Sequence, residues 1–177
     1  RVVDYKSGAK AFRLADIVNG LNLQMFLYLF NVCADGSNPY AGVPAGVLYM
    51  HAARSVMTVE TKRSAEKDIA GQEDKAFGMN GIVITNPDCD IPAAMEHDLA
   101  GKYIPVRLKK SGVGGSLASL EQLGLLQRKI EALVADMGNA LQNGQIGQHP
   151  VQAKDHDKTC EYCDFASVCA FKKSVTP

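Results

Sequence analysis

The chain opens with Arg1-Val2-Val3-Asp4-Tyr5-Lys6-Ser7-Gly8. Two β-branched residues run into a carboxylate, and an ammonium follows two positions later. That composition predicts a strand, and in a strand the side chains at i and i+2 leave the same face. Asp4 and Lys6 are therefore expected to point together into one site, with Val3 and Tyr5 packing behind them. A carboxylate can hold a hard divalent cation through oxygen, and a lysine beside it can position or activate a water for attack on phosphorus. The same step occurs at ordinary strand ends as a surface salt bridge, so its meaning depends on the residues further along the chain.

The 177 residues are enough for one domain with a real core, and 46% hydrophobic with 21% charged residues is the balance of a soluble globular protein. No apolar run reaches the roughly 18 residues of a membrane span; the longest, residues 21–32, is broken by Asn22, Gln24 and Asn31. No signal-peptide pattern stands at the N-terminus, and a strand at residue 1 suggests a fragment. With 19 basic and 19 acidic residues the formal net charge is zero. Free-standing nucleic-acid binders are usually basic, so much of any phosphate contact is expected from elsewhere. Five cysteines, an odd number, fit a reducing compartment. A cytoplasmic location without membrane attachment is the expectation.

Beyond the first strand, Phe12 and Leu14 alternate with Arg13 and predict a brief extended piece. Asn19-Gly20 then breaks the chain before a helix expected over 21–33, so apolar that it should be largely buried. Gln24 and Tyr28 interrupt it four residues apart, on one face. Burying an unpartnered amide costs a few kcal/mol, so Gln24 reads either as a satisfied core glutamine or as a site residue. A strand is expected over 45–53, beside the first, and a charged connector over 58–74. Further expectations are an extended Ile82-Val83-Ile84, a helical turn around 93–99 and an extended segment over 103–108. Gly112-Val113-Gly114-Gly115 lacks the Gly-Lys-Ser/Thr ending of a P-loop and reads as a flexible connector. The clearest helix covers 119–142: Ser119 and Gln122 form a capping box, and Gly144 marks its stop. Its apolar stripe, from Leu120 to Leu141 with Met137 included, is expected to be core.

An expected extended stretch over 145–150 leads to the tail, where Cys160, Cys163 and Cys169 are spaced Cys-x2-Cys-x5-Cys. Paired thiolates in a tight turn can grip one metal, and three ligands leave a fourth position open. His156 could complete a Cys3His zinc site. Cys33 reads as a small buried residue and Cys89 as a bystander in a turn.

Taken together, these stretches resemble the C-terminal nuclease domain of AddB-type subunits of bacterial helicase–nucleases, a RecB-like branch of the PD-(D/E)XK superfamily. Val2-Val3-Asp4-Tyr5-Lys6-Ser7-Gly8 is similar to its Asp-x-Lys motif, Gln24 and Tyr28 to its Gln-x3-Tyr motif, and the three tail cysteines to three of four that hold an iron–sulfur cluster. The resemblance implies an α/β fold with a restriction-endonuclease-like mixed sheet flanked by helices, N-terminally truncated. Residues 1–115 would form the C-terminal part of the core, and 116–177 the long helix and cysteine tail. It implies that Asp4 and the Tyr5 carbonyl bind the catalytic magnesium ion, and that Lys6 orients the attacking water. Gln24 would hold Lys6 or a DNA phosphate, supported by Tyr28. Lys109 and Lys110 could meet the DNA backbone or simply be solvated.

A further metal-binding acid and the fourth cysteine would precede residue 1, so this piece is expected to have an incomplete site and weak activity. The implied function is a metal-dependent DNA exonuclease domain in double-strand-break repair, with an AddA-like helicase–nuclease partner, a magnesium ion and a 4Fe-4S cluster. The alternative is a non-catalytic structural or DNA-binding module stapled by its cysteine tail.

Overall fold

The computed structural model describes residues 1–8, 11–52, 77–147, 150, 160 and 163–169. The chain falls into two compact units, Arg1–Ala132 and Leu133–Pro177. The first carries strand β1 (Val2–Lys6), helices α1 (Leu14–Val18) and α2 (Gln24–Ala34), and strands β2 (Gly46–His51) and β3 (Asn80–Thr85). Helix α3 (Ile91–Met95), strands β4 (Val106–Lys109), β5 (Gly112–Gly115) and β6 (Leu117–Ser119), and the start of helix α4 (Leu120–Gln142) come next. The charged stretch 58–74 and His156 lie outside the described residues, as does part of 145–150.

Four strands form one mixed sheet in the order β1-β2-β3-β6. β1 runs parallel to β2, β2 antiparallel to β3, and β3 parallel to β6. Alternation along the strands divides the core. Val47, Tyr49 and Ile84 face Ile17 of α1, Met25, Phe26 and Leu29 of α2, and Leu123 and Ile130 of α4. Leu48 and Val83 face the other way, into a cluster with Ile91, Leu99, Ile104 and Val106. Helices thus cover one face, and α3 with the segment leading into β4 covers the other, giving a mixed α/β core. β2 is buried on both faces, which explains its unbroken apolar sequence.

Two backbone features lock this arrangement. Gly81 has φ 153°, and a Cβ there would overlap the Val47 carbonyl oxygen, so β2 and β3 approach as closely as they do only because residue 81 is glycine. Buried Glu96, just after α3, accepts the backbone N–H groups of Lys102, Tyr103 and Ile104 at 2.9, 3.0 and 3.0 Å. Burial alone would raise its pKa, but these N–H donors outweigh it, and the carboxyl sits below its ordinary value.

Several elements differ from expectation. Leu14 starts α1 rather than continuing an extended piece; Arg13, at φ −133°, is the last extended residue. α2 begins at Gln24 instead of 21, because Gly20 (φ 83°) and Asn22 (φ 59°) are left-handed and a right-handed helix cannot run through them. Nor is α2 largely buried: it lies on one side of the sheet, and Leu27 and Tyr28 face solvent. The helical turn expected around 93–99 comes earlier, at Ile91, where the Asp90 carboxylate caps the Ala93 N–H at 3.1 Å. The glycine run is not a flexible connector but β5, paired with β4. A Cβ at Gly115 would overlap the Pro105 carbonyl oxygen, so the glycine is what lets the strands close.

The capping box of α4 forms as expected: Gln122 N–H donates to the Ser119 hydroxyl at 3.1 Å, and Ser119 N–H to the Gln122 amide oxygen at 2.9 Å. Gly144 comes after it with φ 64°. The apolar stripe, however, is core only in part. Leu123 and Ile130 are buried, whereas Met137 and Leu141 are exposed. Leu123 and Ile130 belong to the first unit, with its sheet, and Met137 and Leu141 to the second. No helix among the described residues is long and apolar enough to cross a membrane.

Candidate active site

The two charged residues of β1 do meet. Lys6 Nζ donates to Asp4 Oδ2 at 2.6 Å, with the side chains 36% and 28% exposed, so the pair is open to solvent on one side. The register places Tyr49 of β2 directly beside Asp4, and the Lys6 ammonium stands 5.9 Å from the Tyr49 ring centroid, within cation–π range. The hydrogen bond to Asp4 raises the Lys6 pKa above its ordinary 10.5; desolvation works against this, and the charge of Asp4, with that of Tyr49 once it ionises, reinforces it. Burial pushes the Tyr49 hydroxyl up as well; Lys6 opposes that shift, and Asp4 and Asp16 add to it. The site therefore holds a lysine cation beside a neutral phenol.

Among the described residues β1 stands at one end of the strand order, paired on one side with β2. The Lys6 carbonyl accepts the Ala52 N–H at 2.9 Å, so Lys6 presents its peptide groups to β2, and Tyr5, one residue earlier, turns its carbonyl to the opposite edge. The Tyr5 side chain is 67% exposed and does not pack behind the site as expected, whereas Val3 does pack, against the second cluster. A carboxylate and an outward-facing carbonyl are hard oxygen donors. They suit a magnesium ion, which keeps several waters and takes few protein ligands. Among the described residues no three His, Cys, Asp or Glu side chains gather into a metal cage.

On α2, Gln24 Nε2 donates to Tyr28 Oη at 2.8 Å, and both side chains are exposed. Gln24 is thus not the buried amide that the sequence suggested. α2 packs against β1 and β2, yet no hydrogen bond joins the Gln24–Tyr28 pair to Asp4 or Lys6 among the described residues.

The profile of the PD-(D/E)XK nuclease superfamily matches residues 1–170. The chain belongs to that superfamily. It is also 32% identical over 180 residues to the B-type subunit of the ATP-dependent helicase/deoxyribonuclease of Ruminiclostridium cellulolyticum, covering 98% of this chain and 15% of the relative. The corresponding proteins of Bacillus cereus (32% over 185 residues, covering 99% and 16%) and Oceanobacillus iheyensis (33% over 180 residues, covering 97% and 15%) are similar to it to the same degree. The chain thus spans about 15% of the length of these curated relatives. As a PD-(D/E)XK domain it has the mixed sheet of this phosphodiesterase class, with Asp4 and Lys6 on β1.

The cysteine tail of this PD-(D/E)XK domain lies in the second unit. The Cys163 N–H donates to the Cys160 carbonyl at 3.4 Å, and the Cys169 N–H to the Phe165 carbonyl at 2.9 Å, so the chain turns tightly at both points. The three thiols do not converge into a metal-binding group among the described residues, and three thiolates are one short of a tetrahedral set. Of the other two cysteines, Cys33, expected to be buried, is only half-buried, and Cys89 is exposed.

Two residues near the site were not singled out from sequence. Tyr49 sits in an apolar strand and looks like core. Buried Asp16 accepts Asn22 Nδ2 at 3.0 Å, bracing the turn that leads into Gln24. Its signal was visible as the one acid in the otherwise apolar Leu-Ala-Asp-Ile-Val of α1.

Proposed function

We propose that the chain is the metal-dependent DNA nuclease domain of a helicase–nuclease, acting with a helicase partner in double-strand-break repair. The observation that carries this reading is the 2.6 Å Asp4–Lys6 contact on β1, beside Tyr49 of β2. When bound at Asp4 Oδ and the Tyr5 carbonyl, a magnesium ion would supply Lewis acidity to the scissile phosphate and to water.

The chain's own residues do the positioning. Lys6, held protonated, offers N–H donors to the attacking water and to the phosphate oxygen on which charge develops. It stabilises charge and is not the base. The water gives up a proton to surrounding solvent as its oxygen forms the new P–O bond, the bond to the departing sugar oxygen breaks, and that oxygen takes up a proton from solvent. Gln24 and Tyr28 present an amide and a hydroxyl from α2 to the flanking backbone. Similarity to the helicase/deoxyribonuclease relatives supports the helicase partner.

The test is Lys6→Ala in the intact protein that contains this chain, assayed on linear duplex DNA with magnesium. Cleavage should fall by at least about 100-fold, with DNA affinity and thermal stability retained. Undiminished cleavage would sink the assignment.

A further inference from the structure

The β4–β5 hairpin concentrates positive charge in a neutral chain. No Asp or Glu occurs between Asp98 and Glu121, while Lys102, Arg107, Lys109 and Lys110 all fall in that interval. Arg107, Lys109 and Lys110 are exposed, and among the described residues none of these three is in an ion pair.

The pairing gives these cations one face. Arg107 lies opposite Gly114, and Lys109 opposite Gly112; residues paired in this way point to the same side, and so do positions two apart. Both cations therefore share a face on which the partner strand contributes no side chain. The Lys109 stem lies along Gly114, where a Cβ would stand 3.2 Å from its Cδ and Cε. The Arg107 stem lies over Gly101, where a Cβ would stand 3.1 Å from its own Cβ. Lys110 and Ser111 form the turn and put an ammonium and a hydroxyl at the tip.

The support is firm. Val106 is buried, the Leu108 N–H donates to the Leu99 carbonyl at 2.8 Å, and the Ser116 N–H to the Pro105 carbonyl at 2.8 Å. Cations on a fixed hairpin have less conformational freedom to lose on binding than cations on a loose loop.

We propose that this glycine-floored face of the hairpin is a second contact for the DNA backbone, with Arg107, Lys109 and Lys110 each meeting one phosphate. The identity of the polyanion rests on the nuclease reading above; the built cationic face does not. The approach to the hairpin reaches the end of β3 that lies across from the catalytic pair. The Tyr103 carbonyl accepts the Met79 N–H at 2.8 Å, Asn80 pairs with Tyr49, and Tyr49 pairs with Asp4. The hairpin packs through Val106 on the sheet face opposite the one that carries Tyr49 and Asp4, so the contact it offers is separate from the catalytic pair and meets a different stretch of the same DNA.

The test uses the intact protein that contains this chain and a fluorescein-labelled DNA duplex with a single-stranded end. Affinity is measured between about 50 and 200 mM salt, for wild type, R107Q/K109Q/K110Q and Lys6→Ala. The triple variant should lose affinity by more than tenfold, and its log–log salt slope should be shallower by about 2 to 3, at about 0.7–0.9 per phosphate lost. R107K/K109R/K110R should restore both. An unchanged slope in the triple variant overturns the proposal, whether affinity is kept or lost, because three phosphate contacts cannot vanish without changing counterion release. The Lys6→Ala variant separates the two readings. Full cleavage by Lys6→Ala with a shallower slope in the triple variant removes the Asp4–Lys6 active-site reading and keeps the hairpin contact; the opposite pair of results does the reverse.

Discussion

Lys6 carries an ammonium bound to a carboxylate at 2.6 Å above a tyrosine ring, and both neighbours favour its charged form. Its folded pKa lies above 10.5, so it stays protonated throughout the neutral and mildly alkaline range. A pH–rate profile of cleavage should show no alkaline fall due to this residue below that value; a limb near neutrality that disappears in Lys6→Arg would contradict the assignment. Glu96 is the other residue whose ionisation has a consequence. Its folded pKa is depressed below the ordinary 4.5, so its contribution is complete above that pH and is lost as pH falls through the folded value. Glu96→Gln should lower stability by about 2 kcal/mol near neutrality. It should also flatten the acid side of the stability curve, as read by urea unfolding at several pH values. The Asp4–Lys6 contact was legible from sequence because it depends only on i, i+2 geometry within one strand. The Tyr49 ring beneath it was not, because it arrives through the register of a distant strand. The role of Glu96 was invisible for another reason: its partners are backbone N–H groups, which every non-proline residue carries.

Strands and helices were legible where local chemistry decides them. The capping box at Ser119 and the unbroken apolar run of β2 each act over a few residues, and both formed as expected. Boundaries failed where a tertiary contact sets them. Asn22 adopts φ 59° with its amide on the Asp16 carboxylate, which delays α2 to Gln24. The glycines of β5 read as a flexible linker because glycine usually weakens strands; here the close approach of Pro105 to Gly115 requires the missing side chain. The same logic gives a prediction for the β2–β3 pair. Gly81→Ala places a methyl on the Val47 carbonyl at a φ of 153°, and should cost about 3 kcal/mol or more, a fall in Tm of about 10 °C in a calorimetric scan. A variant melting at the wild-type temperature would show that the strands can separate freely.

For the molecule as a whole, the proposed active-site residues and the residues that hold the fold are largely distinct sets. The two apolar clusters on either side of the sheet include neither Asp4 nor Lys6. Chelating the divalent ion with EDTA should therefore abolish cleavage while leaving far-UV dichroism unchanged and the Tm within a few degrees. Collapse of the dichroism on chelation would show that metal is structural. The parallel alignment of β1 with β2 has a consequence for how the enzyme comes into being. β4 and β5 close over a two-residue turn, but β1 must await a strand that begins some forty residues downstream, and closing a loop of that length costs about 3 kcal/mol in chain entropy. Contacts so distant in sequence form late. Asp4 and Lys6 are made before any other strand of this chain, yet they acquire a working neighbourhood only when β2 captures them. The Asp4–Lys6 pair therefore stays without Tyr49 beside it until β2 is in place, and the geometry proposed for cleavage is complete only from that step of folding onward.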